Sequence, residues 1–282
     1  MKKNLVLEGG AMRGMFSAGV MDVLMENDIE FNEVIGVSAG AVFGCNYKSK
    51  QIGRTIRYNK KYIQNPEYCS FRSLIKTGNM FGRDFCYNKI PFELDPFDNK
   101  TFMSDPTKFY VVVTDINTGK AVYKRVDSAI GEGLEYMRAS ASMPLASKPV
   151  EINGKEYLDG GIADSVPLEF SIKNGADKNL VILTQPKGYI KKKNSLISLM
   201  KLSLKKYPKL IEAMKNRHIL YNKQVEFAEK TEKEGKAFII RPAEKLPIGR
   251  LEKNPETLQL VYNLGRQEAL DNLDKIKSYL NN

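Results

Sequence analysis

Two short apolar runs near the N-terminus, residues 4–7 and 34–37, each end in a glycine-containing turn that leads into a helix-like pattern. The first runs into Gly9-Gly10-Ala11-Met12-Arg13-Gly14, and the second is Gly36-Val37-Ser38-Ala39-Gly40. An order of strand, loop, helix, strand, turn, helix has few compact solutions. The favoured one places the strands as parallel neighbours in an α/β sheet, with the helices packed on its faces. This expectation rules out an all-helical bundle and an antiparallel sandwich as the opening of the fold.

The rest of the chain extends the pattern. Met15, Val20, Val23 and Leu24 give residues 14–27 a helical period. Residues 109–114 form a strongly apolar strand, with 121–126 as its partner and 130–140 as a helix. Asn153-Gly154 inside 150–158 is the strongest hairpin turn in the chain, and it puts Asp159 at a strand end. Pro167 is placed to open a short helix, and residues 179–184 form another buried strand. Residues 53–105 carry aromatics with Pro66, Pro91 and Pro96, and read as an irregular insertion lying over the site as a cap. After Pro186 the reading is two basic amphipathic helices, 195–206 and 209–233, divided by Pro208. A strand over 237–241 and a long helix over 255–280 follow. Residues 1–186 are therefore expected to be the catalytic α/β domain. Residues 187–282 are expected to be a basic, mostly helical C-terminal subregion packed on it.

Charge is uneven along the chain. The net charge is +11, yet residues 187–217 alone hold ten basic residues against one acid, Glu212. A basic segment on an otherwise balanced protein points to an anionic partner, and peripheral contact with an anionic membrane surface fits it. A solvated lysine-rich face is the competing reading, and no nucleic acid is expected. Three cysteines, Cys45, Cys69 and Cys86, fit neither a disulfide framework nor a zinc site. The N-terminus is too polar for a signal-peptide core and no run reaches transmembrane length. The expected location is cytoplasmic, with peripheral contact at the inner face of the membrane left open. Oligomeric state is not legible.

The turns carry the chemistry. Gly36-Val37-Ser38-Ala39-Gly40 suits a serine nucleophile held on a sharp strand-to-helix turn, or a plain turn with a small polar cap. The Gly9–Gly14 loop fits neither a dinucleotide fingerprint nor a Walker loop. It offers backbone N–H groups at a helix start, suited to an oxyanion, with Arg13 beside it as loop anchor or substrate contact. Asp159-Gly160-Gly161 is either the base facing the serine or a turn that closes a hairpin. His218, the single histidine, makes a Ser38–Asp159–His218 triad formally possible, but it sits within a lysine-rich helix.

Four segments in order, Glu8–Gly14, Gly36–Gly40, Ala139–Pro144 (A-S-A-S-M-P) and Asp159–Gly161, resemble the bacterial branch of the patatin-like phospholipases. The likeness runs from about residue 4 to 186. It implies a three-layer α/β/α patatin-like fold with a mainly parallel central sheet. It also implies a serine acyl hydrolase that cleaves lipid carboxylic esters through an acyl-enzyme and needs no metal or cofactor. Ser38 is then the nucleophile and Asp159 the base. Gly9, Gly10 and Ala11 form the oxyanion loop with Arg13 beside it, and Gly14, Gly36, Gly40, Gly160 and Gly161 are motif glycines. Ala11 stands where many members have a third glycine, and Ser165 stands where the motif has asparagine. A lipid-binding protein with little turnover and an acyltransferase are the alternatives.

Overall fold

The structure is a computed structural model that describes residues 1–281. Its first half contains β1 (Lys3–Leu7), α1 (Gly14–Glu26), β2 (Glu33–Val37), α2 (Ala39–Lys48), α3 (Arg54–Tyr62), α4 (Phe71–Thr77), a π-helical segment (Phe85–Leu94), α5 (Asn99–Ser104) and β3 (Lys108–Asp115). Then come β4 (Ala121–Val126), α6 (Glu132–Ser140), β5 (Val150–Ile152), β6 (Lys155–Asp159), α7 (Leu168–Lys173) and β7 (Lys178–Ile182). The last third holds α8 (Ile197–Ser203), α9 (Pro208–Lys233), β8 (Ala237–Ile240), α10 (Pro255–Asp271) and α11 (Leu273–Asn281).

Eight strands make one sheet, bonded in the order β5-β6-β3-β2-β1-β7-β8, with β4 also on β3. The five strands β3, β2, β1, β7 and β8 run parallel, and the β3–β4, β3–β6 and β5–β6 pairs are antiparallel. Side chains alternate between two separate cores. Leu5, Leu7, Val34, Val111, Val113, Leu180 and Ile182 pack on one face with Met15 and Leu24 of α1 and Val261 of α10. Val6, Ile35, Val37, Val112 and Val181 pack on the other face with Leu168 of α7 and Tyr221 and Ala228 of α9. Helices cover both faces, which explains why the parallel strands read as continuous apolar runs. The result is a three-layer α/β/α arrangement with a mainly parallel central sheet, as the resemblance implies.

The C-terminal segment joins this framework directly. β8 pairs with β7 in parallel, so it supplies an edge strand of the same sheet. Among the described residues, no helix is long and apolar enough to cross a membrane.

Three expectations from the sequence need correction. Residues 53–105 are not irregular but largely helical. The Ser70 side chain caps α4 by accepting from the N–H of Ser73, and Asp98 caps α5 by accepting from that of Thr101. The helix expected over 195–206 spans only Ile197–Ser203 and ends at Leu204, four residues before Pro208. The last helix is divided at Asn272, whose side-chain amide donates to the Glu268 carbonyl at 2.9 Å and competes with the helical ladder. The hairpin is as expected, with Asn153 at φ 51° and Gly154 at φ 73° matching a type I′ turn.

Candidate active site

β2 ends at Val37, and the chain turns into α2 through Ser38. Ser38 has φ 56° and ψ −121°, a conformation that costs roughly 1–3 kcal/mol for a residue with a side chain. Three hydrogen bonds hold it. The Ser38 N–H donates to Ser140 Oγ at 2.8 Å. The Ser38 carbonyl accepts from the N–H groups of Ala41 and Val42 at 3.0 and 3.1 Å. Ser140 Oγ in turn donates to the Val112 carbonyl at 2.6 Å, so β3 anchors the turn through α6. Gly36 lies in β2 and Gly40 in the first turn of α2.

Sheet register brings Asp159 to this turn. Val112 of β3 pairs with Val37 of β2 and with Tyr123 of β4, so β2 and β4 hold opposite edges of β3. Val113 pairs with Val122 of β4 and with Asp159 of β6, so β6 continues along the edge that β2 leaves. Asp159 therefore arrives where Ser38 departs. Gly160 follows it closely along β3, and a Cβ there would lie 2.1 Å from the Val112 carbonyl oxygen. Asp159 is 1% exposed. Its N–H donates to the Ser142 carbonyl at 2.9 Å, and its Oδ1 accepts from the Gly161 N–H at 2.8 Å. Oδ2 is buried and closes no hydrogen bond of full geometry. Burial pushes the carboxyl above the usual aspartate range, while the Arg217 charge, the nearby Ser38 hydroxyl and the Gly161 N–H pull the other way.

The glycine-rich loop follows β1. Ala11–Arg13 make a single 3₁₀ turn, and Gly14 opens α1. The N–H groups of Gly9, Gly10 and Ala11 donate to none of the described residues. Gly9 is packed against Ser38: a Cβ on it would lie 2.7 Å from Ser38 Cβ and 2.9 Å from the Val37 carbonyl oxygen. Ala11, the residue that replaces a third glycine, has φ 49°. Arg13 is partly buried, and its Nε has no hydrogen-bond partner. Ser165 donates its hydroxyl to the Gly161 carbonyl at 2.8 Å and so tethers the Asp159 loop.

Ser38 borders two cavities. One of about 500 Å³ is lined mainly by apolar side chains, among them Val42, Phe43, Tyr58, Phe81, Ile90 and Met137. Much of its wall comes from the helices of residues 54–97. The other, of about 60 Å³, is polar and is lined by Gly9, Gly10, Ala11, Arg13, Ser38, Asp159 and Gly161. The loop, the serine and the aspartate thus converge on one small space at the carboxyl ends of the parallel strands, where open α/β sheets commonly hold ligands.

Several residues of this space gave no signal in the sequence. Glu8, 2% exposed, accepts from the Thr184 N–H at 2.6 Å and from the Tyr221 hydroxyl at 3.0 Å. Arg217 Nε donates to the Gly161 carbonyl. Gln224 donates to Asp164 Oδ1 at 2.7 Å and accepts from the Ser165 N–H at 3.1 Å. Tyr221, Arg217 and Gln224 all lie on α9, about one turn apart along one face. That period was visible only as helix amphipathicity. Ser140, inside Ala139–Pro144, and Glu8, inside Glu8–Gly14, were the missed groups that lay within the motifs. His218, beside Arg217, lines neither cavity. Among the described residues, no group of three or more His, Cys, Asp and Glu is arranged to hold a metal ion.

Comparison with known proteins matches the chain to a family. The family model for patatin-like phospholipase matches residues 5–172, and one for a domain of unknown function (DUF6363) matches residues 207–281. The chain is 30% identical over 203 residues to the uncharacterized protein YjjU of Escherichia coli, covering 64% of this chain and 52% of that protein. It is 23% identical over 190 residues to a probable lipid hydrolase, 463L, of Invertebrate iridescent virus 6, covering 63% of this chain and 66% of that protein. It is 27% identical over 182 residues to a lysophospholipase, nte1, of Aspergillus niger, covering 61% of this chain and 11% of that protein. The chain thus spans about half to two thirds of the length of the first two relatives. With a matching family model over more than half its length, the chain belongs to the patatin-like phospholipase family.

Proposed function

We propose that this protein is a serine acyl hydrolase of lipid carboxylic esters, working through a Ser38–Asp159 dyad and an acyl-enzyme. The observation that carries the reading is the β3 edge, on which β6 delivers Asp159 where β2 releases Ser38. In acylation, Ser38 Oγ attacks the ester carbonyl carbon and Asp159 Oδ2 takes the hydroxyl proton. The N–H groups of Gly9, Gly10 and Ala11 face the oxyanion, and Arg13 adds positive potential beside them. The tetrahedral intermediate collapses, and the alcohol leaves with the proton from Asp159. Water then gives its proton to Asp159 and attacks the acyl carbonyl; the acyl–Oγ bond breaks, Asp159 returns the proton to Ser38 Oγ, and the fatty acid leaves. An aspartate above its usual pKa is a better base than one in water, which supports this role. The apolar cavity beside Ser38 suits an acyl chain.

The surface around the mouth of that cavity supports peripheral contact with anionic lipid. Phe71 and Ile75 of α4 are 68% and 87% exposed, and Leu199 and Leu202 of α8 are 52% and 74% exposed. Phe71 and Met200 also line the cavity, so both helices stand at its rim. Residues 1–186 and 187–282 in this reading act as one catalytic unit, since α9 reaches into the site.

A fluorophosphonate probe and a fatty-acid release assay test the reading. Labelling of Ser38 together with release of free acid is expected. Labelling with acyl transfer to an added alcohol but no free acid indicates an acyltransferase. No labelling leaves a lipid-binding protein.

A further inference from the structure

The polar cavity beside Ser38 carries more positive charge than the dyad chemistry requires. Arg13, Lys191, Arg217 and Arg250 line it, against the two carboxylates of Glu8 and Asp159. Among the described residues, none of the four cations is ion-paired with a carboxylate. Glu8 is already engaged by Thr184 and Tyr221, so it offers them little. Three of the four cations come from beyond residue 172, outside the segment that carries nucleophile, base and oxyanion loop.

The pocket is built rather than incidental. Lys191 belongs to a lysine run that reads as surface, yet α9 turns it inward. Its N–H donates to Asn222 Oδ1 at 2.9 Å, and its carbonyl accepts from Asn222 Nδ2 at 3.2 Å. Its Nζ stands 3.9 Å from the centroid of the Tyr221 ring, and the Tyr221 hydroxyl is held by Glu8. Arg217 is fixed by the Gly161 carbonyl, and Arg13 presents a buried Nε without a partner. A volume of about 60 Å³ excludes an acyl chain and suits a compact oxyanion.

We infer that the cations lining this pocket bind a phosphate monoester on the alcohol side of the ester substrate, with Lys191 and Arg250 as specificity-determining residues. The inference rests on the proposed acyl hydrolase reading. Four cationic side chains facing two carboxylates favour an anion, and a phosphate monoester brings more negative charge than the other groups an ester of glycerol can carry. A phosphodiester carries one charge and a bulkier substituent, and a neutral glyceride carries none. Because Ser38 lines both cavities, the phosphate must lie within a few bonds of the scissile ester, the separation that a glycerol backbone supplies.

Binding and turnover test the inference separately. In Ser38→Ala, calorimetry with glycerol 3-phosphate is expected to detect binding that Lys191→Gln with Arg250→Gln weakens by about tenfold or more. Glycerophosphocholine should bind more weakly than glycerol 3-phosphate. In the active protein, octanoyl esters of glycerol 3-phosphate, glycerophosphocholine and glycerol are compared. The double variant should lose kcat/KM on the phosphate monoester by about tenfold more than on the neutral ester. An equal fall on all three esters, with normal glycerol 3-phosphate binding, overturns the inference. Inorganic phosphate binding as tightly as glycerol 3-phosphate, with no preference among the esters, also overturns it in favour of free phosphate. Absence of ester cleavage with glycerol 3-phosphate binding intact refutes the hydrolase reading alone and leaves the anion subsite standing.

Discussion

The backbone N–H of Ser38 is bound by the side chain of Ser140, which lies 102 residues further along the chain. Ser140 Oγ accepts that N–H at 2.8 Å and donates to the Val112 carbonyl at 2.6 Å. One hydroxyl therefore ties a strained turn to the strand beside it. Ser140→Ala would leave the Ser38 N–H and the Val112 carbonyl without this partner, at a cost of about 1–3 kcal/mol. The expected outcome is a lower melting temperature and a fall in kcat without a matching change in KM, because the hydroxyl orients Ser38 rather than touching substrate. Unchanged kcat in this variant would show that the turn holds its own geometry.

The proposed Ser38–Asp159 dyad makes a direct prediction. Ser38→Ala and Asp159→Asn should each lower ester hydrolysis by a factor on the order of 10³ or more, with circular dichroism unchanged. His218→Ala should keep the parental rate, since His218 lines neither cavity. Loss of activity in the His218 variant with normal melting would argue for a histidine base.

Asp159 also links activity and stability with opposite signs. Its carboxyl sits above the ordinary range because of burial, so the active anionic form is lost as pH falls through that raised value. The acid limb of kcat/KM should therefore lie above the usual aspartate pKa of about 3.9. For folding, the native state binds this proton more tightly than the unfolded chain does. Its stabilising contribution is full below the unfolded value and is lost as pH rises through the folded one. Asp159→Asn, which is neutral throughout, should melt at a higher temperature than the parent at pH 7. A lower melting temperature there would contradict burial as the dominant influence on the group.

The oxyanion loop predicts a contrast between neighbours. Gly9→Ala forces a methyl to within 2.7 Å of Ser38 Cβ, so either the loop or the serine must move. Displacing one oxyanion donor costs roughly a hundred- to a thousand-fold in rate. Ala11→Gly relieves a positive φ of 49° and should stabilise the fold by about 1 kcal/mol while retaining hydrolysis. Thermal melts and steady-state rates on the two variants test both statements.

Lysines outside the site predict membrane behaviour. Sedimentation with liposomes should increase with anionic lipid content, weaken as salt rises, and drop when Lys192, Lys193, Lys201, Lys205 and Lys206 are changed to Gln. Equal binding to neutral and anionic vesicles would leave these residues as a solvated face only.

What the sequence made legible was local. The parallel opening of the sheet, the turn at Ser38 and the hairpin that presents Asp159 each rest on residues adjacent in the chain. Turn geometry dictates residue type there, so the pattern survives in the sequence. Residues 53–105 read as irregular because Pro66, Pro91 and Pro96 break the helical period, while the short helices there begin at side-chain caps such as Ser70 and Asp98. Lys191 read as one more surface lysine, since only Asn222 and Tyr221, about thirty residues later, turn it inward. Glu8 stood inside a quoted motif, but its partners Thr184 and Tyr221 lie 176 and 213 residues away. Side chains that meet only through tertiary packing leave no periodic trace.

The hold of α9 on the site bears on how such chains can be recombined. Tyr221 with Glu8, Arg217 with Gly161, and Gln224 with Asp164 each join one family-model segment to the other. A chimera that takes residues 5–172 from one member and the C-terminal segment from another inherits half of each pair. Unless the halves match, it leaves a buried carboxylate at position 8 or 164 with one donor fewer. A boundary drawn between the two segments therefore cuts through a shared set of hydrogen bonds.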